Sequence, residues 1–456
     1  MTTRSWWGAD LLGNGGGERD RDRGLWACAR GEVTVGTLRA EVAGLAKTMS
    51  IHGIRAHNTV ALQGVPSFTQ LYCLFALWSL GAQGLLFDSR LDPRERLALL
   101  QMSAPEFVVT FGRGMYGQAG VFVDGCEVLV QRLAGGRPAH SDHCVVQFSS
   151  GTTGRPKAIG RTPESLLGEL KRWREIDGMP RAGERVAVLE SVAHSFGLVG
   201  GLLCAMDAGA TVVFPTAQTR RAITDAVADA HVVMGNPWHF EQFTGAADGV
   251  RTPSLRLAVS GGDVLSRQVF DTFYRRFGVP IGQVYGTTET GIIAAHLAGD
   301  RSPTTIGSPV RGIRTRVLDG VLEVYAPQSP YLYEAEHWPG GWISTGDLVS
   351  GDPDAGTLRL RGRAEEAGRT HLDLLEIESV LRTHEFVNDA VVFGVEPIEA
   401  HVESAADLHH TDLRSWCRRF LSDSVAPARY HVVRELPRTA NGKVRRIRSA
   451  TAPAPG

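Results

Sequence analysis

Nine consecutive residues carry the strongest chemical signal in the chain: Ser149-Ser150-Gly151-Thr152-Thr153-Gly154-Arg155-Pro156-Lys157. Small residues and glycines let a backbone curl so that successive N–H groups point inward at phosphate oxygens. The hydroxyls add donors, and Lys157 adds a mobile positive charge. The run follows the strand-like Val145-Val146-Gln147-Phe148, so the loop stands at a strand end. It is not a Walker A loop, which closes Gly-Lys-Ser/Thr; here Pro156 precedes the lysine and Ala158 follows it. A Ser/Thr/Gly surface linker is the bland alternative, and the order of the nine residues after a strand argues against it. Alone, the loop supports a nucleotide phosphate site and nothing finer.

Lysine usage sharpens this. Of 48 basic residues only four are lysine, namely Lys47, Lys157, Lys171 and Lys443. Where arginine is used almost everywhere, a lysine marks a position that needs a compact ammonium and not a planar guanidinium.

The elements that must position these groups alternate. Val60–Gln63, Gly84–Phe87 and Phe107–Phe111 read as strands, and Leu38–Met49, Phe68–Leu80 and Pro93–Met102 as helices. Strand-like runs continue at Val186–Leu189, Thr211–Phe214, Val232–Met234, Leu255–Val259 and Ile281–Tyr285, separated by helix-length stretches. This is an α/β pattern. After the loop, Thr162 as N-cap, Pro163 at N1 and Glu164 in the first turn predict a helix with Leu166, Leu167, Leu170 and Trp173 on one face. From Gly312 the pattern changes to clustered strands with Gly, Asp and Pro turns. A last segment has its own helix (Glu376–Thr383), strand (Ala390–Gly394), helix (Asp412–Ser422) and strand (Tyr430–Arg434). The expected division is 1–362 and 363–456, with a boundary at Gly362-Arg363; Gly13–Arg30 reads as loose.

Composition narrows the function classes. At 456 residues the chain has room for roughly two or three domains. With 43% hydrophobic and 21% charged residues it is an ordinary globular protein, which excludes disordered and fibrous classes. A formal net charge of −1 gives no electrostatic case for nucleic acid or an anionic membrane. The apolar stretches Cys73–Phe87 and Phe196–Phe214 are broken by Gly and polar residues, and Met1–Gly17 lacks the apolar core of a secretory signal. Six scattered cysteines without a C-x-x-C pair read as free thiols, so a cytoplasmic location is expected. His409-His410 reads as a solvated loop.

Further motifs complete a constellation. They are Ser260-Gly261-Gly262-Asp263, Val284-Tyr285-Gly286-Thr287-Thr288-Glu289, Gly307-Ser308-Pro309, Ser344-Thr345-Gly346-Asp347-Leu348, Gly362-Arg363 and Leu436-Pro437-Arg438-Thr439-Ala440-Asn441-Gly442-Lys443. Together with the phosphate loop, and in this order, they resemble the adenylate-forming superfamily of acyl- and aryl-CoA ligases, peptide-synthetase adenylation domains and luciferases. The resemblance implies a large N-terminal domain of αβαβα-type sheets with a β-rich subdomain, and a small mobile α+β C-terminal domain. It implies that Ser149, Ser150, Gly151, Thr152, Thr153, Gly154 and Lys157 hold phosphates, and that the backbone of Gly261, Gly262 and Asp263 lies against adenine. Tyr285, with Gly286 and Thr287, offers a flat face for stacking. The Thr288 hydroxyl reaches the α-phosphate, and Glu289 holds Mg²⁺. Asp347 accepts ribose hydroxyls, Arg363 is a second ribose or hinge contact, and Lys443 is the mobile catalytic cation. Each alone has a plainer meaning: Tyr285 a core aromatic, Glu289 a solvated loop acid, Asp347 a turn former, Lys443 an exposed lysine.

The implied activity is ATP-dependent conversion of a carboxylic acid to its acyl-adenylate, followed by transfer to CoA as co-substrate. His194, in Ala193-His194-Ser195-Phe196-Gly197, stands where acyl- and aryl-acid ligases often carry His and amino-acid activators carry Asp. A pocket drawn from His194, Phe196, Trp238, Phe240, Val284 and Gly291 is mostly apolar and implies a hydrophobic or aromatic acid. The sequence departs from the family at the acceptor-side hinge. Gly362-Arg363-Ala364-Glu365-Glu366 reaches Glu376-Ile377-Glu378 a few residues early, without the expected Lys and glycine loop. Transfer to a carrier-protein phosphopantetheine thiol, or a nucleotide-binding scaffold without transfer chemistry, therefore stay open as alternatives.

Overall fold

The computed structural model describes residues 8, 22–112, 120–150, 156–245, 249–298, 304–333, 338–351, 353, 356–364, 373–394, 397–422, 425–438 and 444–446. Two sheets form the larger part. A six-stranded sheet runs in the order Val128–Arg132, Phe107–Phe111, Thr59–Gly64, Gln83–Leu86, Val145–Ser150 and Pro156–Arg161. Its middle four strands are parallel and its outer two antiparallel. The second sheet has 13 strands among the described residues. A parallel run of Leu25–Cys28, Thr211–Val213, Arg185–Val188, Val232–Gly235, Leu257–Gly261 and Ile281–Thr287 continues into antiparallel strands ending at Val321–Tyr325 and Thr315–Leu318. The strand-rich region expected from Gly312 is thus continuous with the second α/β sheet.

Parallel strands are covered on both faces, which is why these segments are near-continuous apolar runs. The helix Phe68–Ser79 is buried from Phe68 to Trp78, and the π-helix Phe196–Leu203 is buried from Gly197 to Leu203. One apolar cluster joins both helices to both sheets. The segment Gly13–Arg30, expected to be loose, contributes a strand at Leu25–Cys28. Trp26 draws it in, packing at 5.9 Å from Phe68, 6.1 Å from Tyr72 and 6.5 Å from Phe75.

The capped helix after the phosphate loop forms as Pro163–Arg174, with Thr162 Oγ1 accepting from Ser165 N at 3.2 Å. Leu166, Leu170 and Trp173 are buried, but Leu167 is 44% exposed. The inward position that Leu167 was expected to share goes to Glu169, because that carboxylate has a buried partner described below. A strand that the sequence reading did not separate, Pro156–Arg161, intervenes between loop and helix.

A three-stranded sheet of Asp389–Phe393, Glu399–Glu403 and Arg429–Val433 forms the C-terminal part, covered on one face by the helices Leu374–Arg382 and His410–Cys417. All six cysteines are unpaired. Among the described residues no helix is long and apolar enough to cross a membrane.

Candidate active site

The two ends of the phosphate loop lie on paired strands. Val145–Ser150 and Pro156–Arg161 pair antiparallel, with Ser149 opposite Lys157 and Ser150 opposite Pro156. Gly151, Thr152, Thr153 and Gly154 lie outside the described residues. Lys157 Nζ stands 5.8 Å from the centre of the Tyr331 ring, a cation–π contact that holds the ammonium at the strand end. Tyr331 is tied to the same strand pair by a bridge to Ile159. Burial, and after it the Glu289 carboxylate, push the Tyr331 hydroxyl upward, so Lys157, Tyr331 and Glu289 share one neighbourhood. Tyr331 was not singled out from the sequence; it sits outside every motif, and only the fold brings it here.

A cleft with about 650 Å³ of empty space opens at the carboxyl ends of Leu257–Gly261 and Ile281–Thr287. Strand ends of an α/β sheet are where ligands bind, since the following loops leave the sheet there. His194, Phe196, Gly261, Gly262, Val284, Tyr285, Gly286, Thr287, Thr288 and Gly291 all border it. Glu289 is the centre of the turn Thr288-Glu289-Thr290, which connects Ile281–Thr287 to Gly291–His296.

Glu169 reaches the same cleft and was missed from the sequence. Its Oε2 pairs with Arg161 Nη1 at 2.8 Å, both side chains at most 3% exposed. Its Oε1 accepts from Trp173 Nε1 at 3.2 Å and from Ile292 N at 3.1 Å. Gly291 has φ +71°, and a Cβ there would lie 2.0 Å from that carboxylate. Glycine is thus required twice over at this position, by backbone and by space.

His194 is held by a pair that the sequence reading also missed. Asp88 Oδ2 lies 3.0 Å from His194 Nε2 and 2.8 Å from Arg90 Nη2. Burial alone would raise the Asp88 carboxyl; hydrogen bonds from Arg90 and His194 outweigh it and hold the group well below the usual carboxylate range. Behind His194, Gln147 Nε2 donates to Ala193 O at 2.9 Å, linking the strand before the phosphate loop to this turn. Glu190 also faces the cleft and accepts from Asn236 Nδ2 at 2.7 Å. Next to it His239 is buried neutral. Its Nδ1 accepts from Asn236 N at 3.1 Å, so its Nε2 carries the proton shared with Gln218 Oε1 at 3.1 Å. Burial pushes His239 down to about 4.

Tyr285, expected to offer a stacking face, lines the cleft while its hydroxyl donates to Asp347 Oδ2 at 2.6 Å. Burial and the Asp347 charge push that hydroxyl well above its ordinary range. Asp347 Oδ1 meets Arg363 Nε at 3.2 Å, across the register pair Asp347–Arg363 of neighbouring strands. Both carboxylate oxygens therefore have partners, with lone pairs left over for hydroxyl donors.

Other expected residues stand elsewhere. Trp238 meets His239 edge-on at 5.1 Å and packs with the apolar cluster behind the second sheet, and Phe240 is fully buried there against Phe273. In their helix, Pro237–Thr244, Phe240 is buried and Trp238 half-buried, and neither borders the cleft. Asp263 is exposed, and its Oδ1 accepts from its own neighbour, Val264 N, at 2.8 Å. Lys443 lies outside the described residues. Its flanks pair as Arg438 with Val444, and Arg438 is anchored to Asp389 and Glu403 at 3.0 and 3.1 Å.

Residues 18–330 match the family model of the AMP-binding enzymes, and residues 376–443 match that of the AMP-binding enzyme C-terminal domain. The chain belongs to the AMP-binding enzyme family, whose members are adenylate-forming ligases. A benzoate–CoA ligase of Thauera aromatica is 28% identical over 386 residues, spanning 76% of this chain and 72% of that protein. The fatty acid–[acyl-carrier-protein] ligase ScoC of Streptomyces coeruleorubidus is 29% identical over 343 residues, spanning 66% of this chain and 65% of that protein. Among solved structures, the anthranilate–CoA ligase AuaEII in complex with anthranoyl-AMP superposes with a TM-score of 0.82 at 21% identity, covering 96% of this chain and 95% of that one. At that identity the superposition speaks for the fold.

Proposed function

We propose that this enzyme activates a hydrophobic or aromatic carboxylic acid with ATP and transfers the acyl group to CoA. The observation that carries the reading is the single cleft that gathers His194, Phe196, Gly261, Val284, Tyr285 and Thr288 beside the Lys157–Glu289 end. Apolar walls of Phe196, Val284, Ile292 and Trp173 suit the body of such an acid.

In the first step a carboxylate oxygen bonds to the α-phosphorus of ATP, and the bond from that phosphorus to the bridging oxygen breaks, releasing pyrophosphate. Two anions must meet, so the site has to neutralise charge at the bridging and leaving oxygens. Lys157 and the hydroxyls of Ser149 and Ser150 hold the departing phosphates, and Thr288 donates to the α-phosphate. Lys443 supplies the cation at the incoming carboxylate. The family's Mg²⁺ fits Glu289: a half-exposed carboxylate in a three-residue turn, close enough to act on Tyr331, can hold the ion, which would offset the phosphate charge. Asp347 and Arg363 face the ribose end, with Tyr285 fixing Asp347. In the second step the CoA thiolate attacks the acyl carbon and AMP leaves.

We place the boundary between the two parts at Gly362-Arg363, the end of the strand Leu358–Arg363, as a pivot for the small domain. Transfer to a carrier-protein thiol is the second reading. It is favoured by the short hinge segment, whose residues 365–372 lie outside the described ones, and by the resemblance to ScoC. Measuring AMP release across a panel of aryl and alkyl acids, with CoA or a phosphopantetheinylated carrier as acceptor, separates the two. Thioester formed only on the carrier would replace the CoA reading.

A further inference from the structure

The C-terminal sheet places three ligand-type side chains on one face. Its strands Glu399–Glu403 and Arg429–Val433 run parallel with His401 directly opposite His431. Glu399 precedes His401 by two residues and so projects from the same face. One ligand atom from each of Glu399, His401 and His431 lies within 4.8 Å of the other two. The imidazole rings are 4.8 Å apart at 56°, and Phe393 meets His401 edge-on at 5.3 Å, walling the ring in. Glu399 and His401 are 5% and 7% exposed, and His431 is half-buried.

We propose that Glu399, His401 and His431 form a site for a divalent transition-metal ion of the zinc class. Two imidazoles and one carboxylate suit a borderline cation, whereas Mg²⁺ and Ca²⁺ demand all-oxygen shells. Ligands around a tetrahedral zinc stand about 3.3 Å apart, so the observed spread closes by a rotation of His431, the most exposed of the three. Arg429 Nη1 holds Glu399 Oε1 at 3.0 Å. Its side chain is 61% exposed, so an ion at Glu399 would compete with it for the carboxylate. The metal ties together the two strands from which the segment bearing Lys443 departs. Leu436, just beyond the second strand, packs on Val391 and Phe393 on this same side.

The test uses the full-length protein, stripped with a chelator and titrated with ZnCl₂ against a competing indicator, with thermal unfolding in parallel. One equivalent is expected to bind and to raise the unfolding midpoint. His401→Gln and His431→Gln should each weaken that binding by about 100-fold. Arg429→Gln should tighten it. His409→Ala and His410→Ala, which remove a neighbouring exposed ring pair, should leave it unchanged. Cobalt(II) in the wild-type protein should give a tetrahedral visible spectrum without a thiolate charge-transfer band, which decides the matter if a histidine variant does not fold. No saturable zinc binding by the wild type, binding unaffected by both glutamine variants, or a thiolate band would overturn the proposal.

Discussion

Asp88 is the residue on which His194 depends. It is 9% exposed and binds both Arg90 and His194, so its loss removes the carboxylate that holds the two at the cleft wall. Asp88→Asn is expected to cost roughly 2–3 kcal/mol of stability, the range for a hydrogen-bonded charge left without its partner. The same variant should raise KM for the acid about tenfold, as His194 loses its orientation. Equilibrium urea denaturation and steady-state kinetics check the two together. His239 gives a pH signature. Its folded-state value is about 4 against an ordinary 6.5, so the unfolded chain binds its proton first as pH falls. The stability it contributes is complete above about pH 6.5 and is lost progressively down to about pH 4, a span worth roughly 3 kcal/mol. Denaturation midpoints at several pH values should show that slope, and His239→Gln should flatten it.

At the level of strands and turns, the hairpin around Thr288-Glu289-Thr290 shows how little tolerance the cleft has. Gly291→Ala forces a side chain into the Arg161–Glu169 pair and demands an unfavourable backbone, so a loss of about 3 kcal/mol or more is expected. Chemical denaturation measures it; a variant as stable as the wild type would mean that Glu169 is free to withdraw. The strand leading to Thr288-Glu289, the phosphate-loop strand and the helix cap at Thr162 were legible in the sequence, because each is local. Apolar runs, a cap residue and a motif are read within a dozen residues. What was not legible is what the fold brings from afar. Asp88 and Arg90 meet His194 across more than a hundred residues, and Glu169 meets Ile292 across 123. Trp238 and Phe240 stand away from the cleft for the complementary reason: their types suit a pocket, but their helix packs them against the apolar cluster behind the sheet. Strand Leu25–Cys28 was hidden by the glycine- and charge-rich stretch before it, and pairing with the distant Thr211–Val213 builds it into the sheet.

For the molecule as a whole, we propose that the cleft of the large sheets and Lys443 of the small domain act on one carboxylate. The fold supplies the frame for this. Arg438 and Val444 pinch the ends of the Lys443 segment, and Arg445 reaches Glu95 on the helix Pro93–Ser103 of the large part at 3.3 Å. Adenylation is reversible before acyl transfer, so acid-dependent exchange of labelled pyrophosphate into ATP reads the first step without any acceptor. That exchange, measured with a panel of aromatic and aliphatic acids for the wild type and for Lys443→Ala, is the most direct test. The wild type should exchange with at least one hydrophobic or aromatic acid, and Lys443→Ala should lower the rate by about 10²–10³-fold. Exchange by the wild type with none of the acids, or an undiminished rate in Lys443→Ala, would contradict the account.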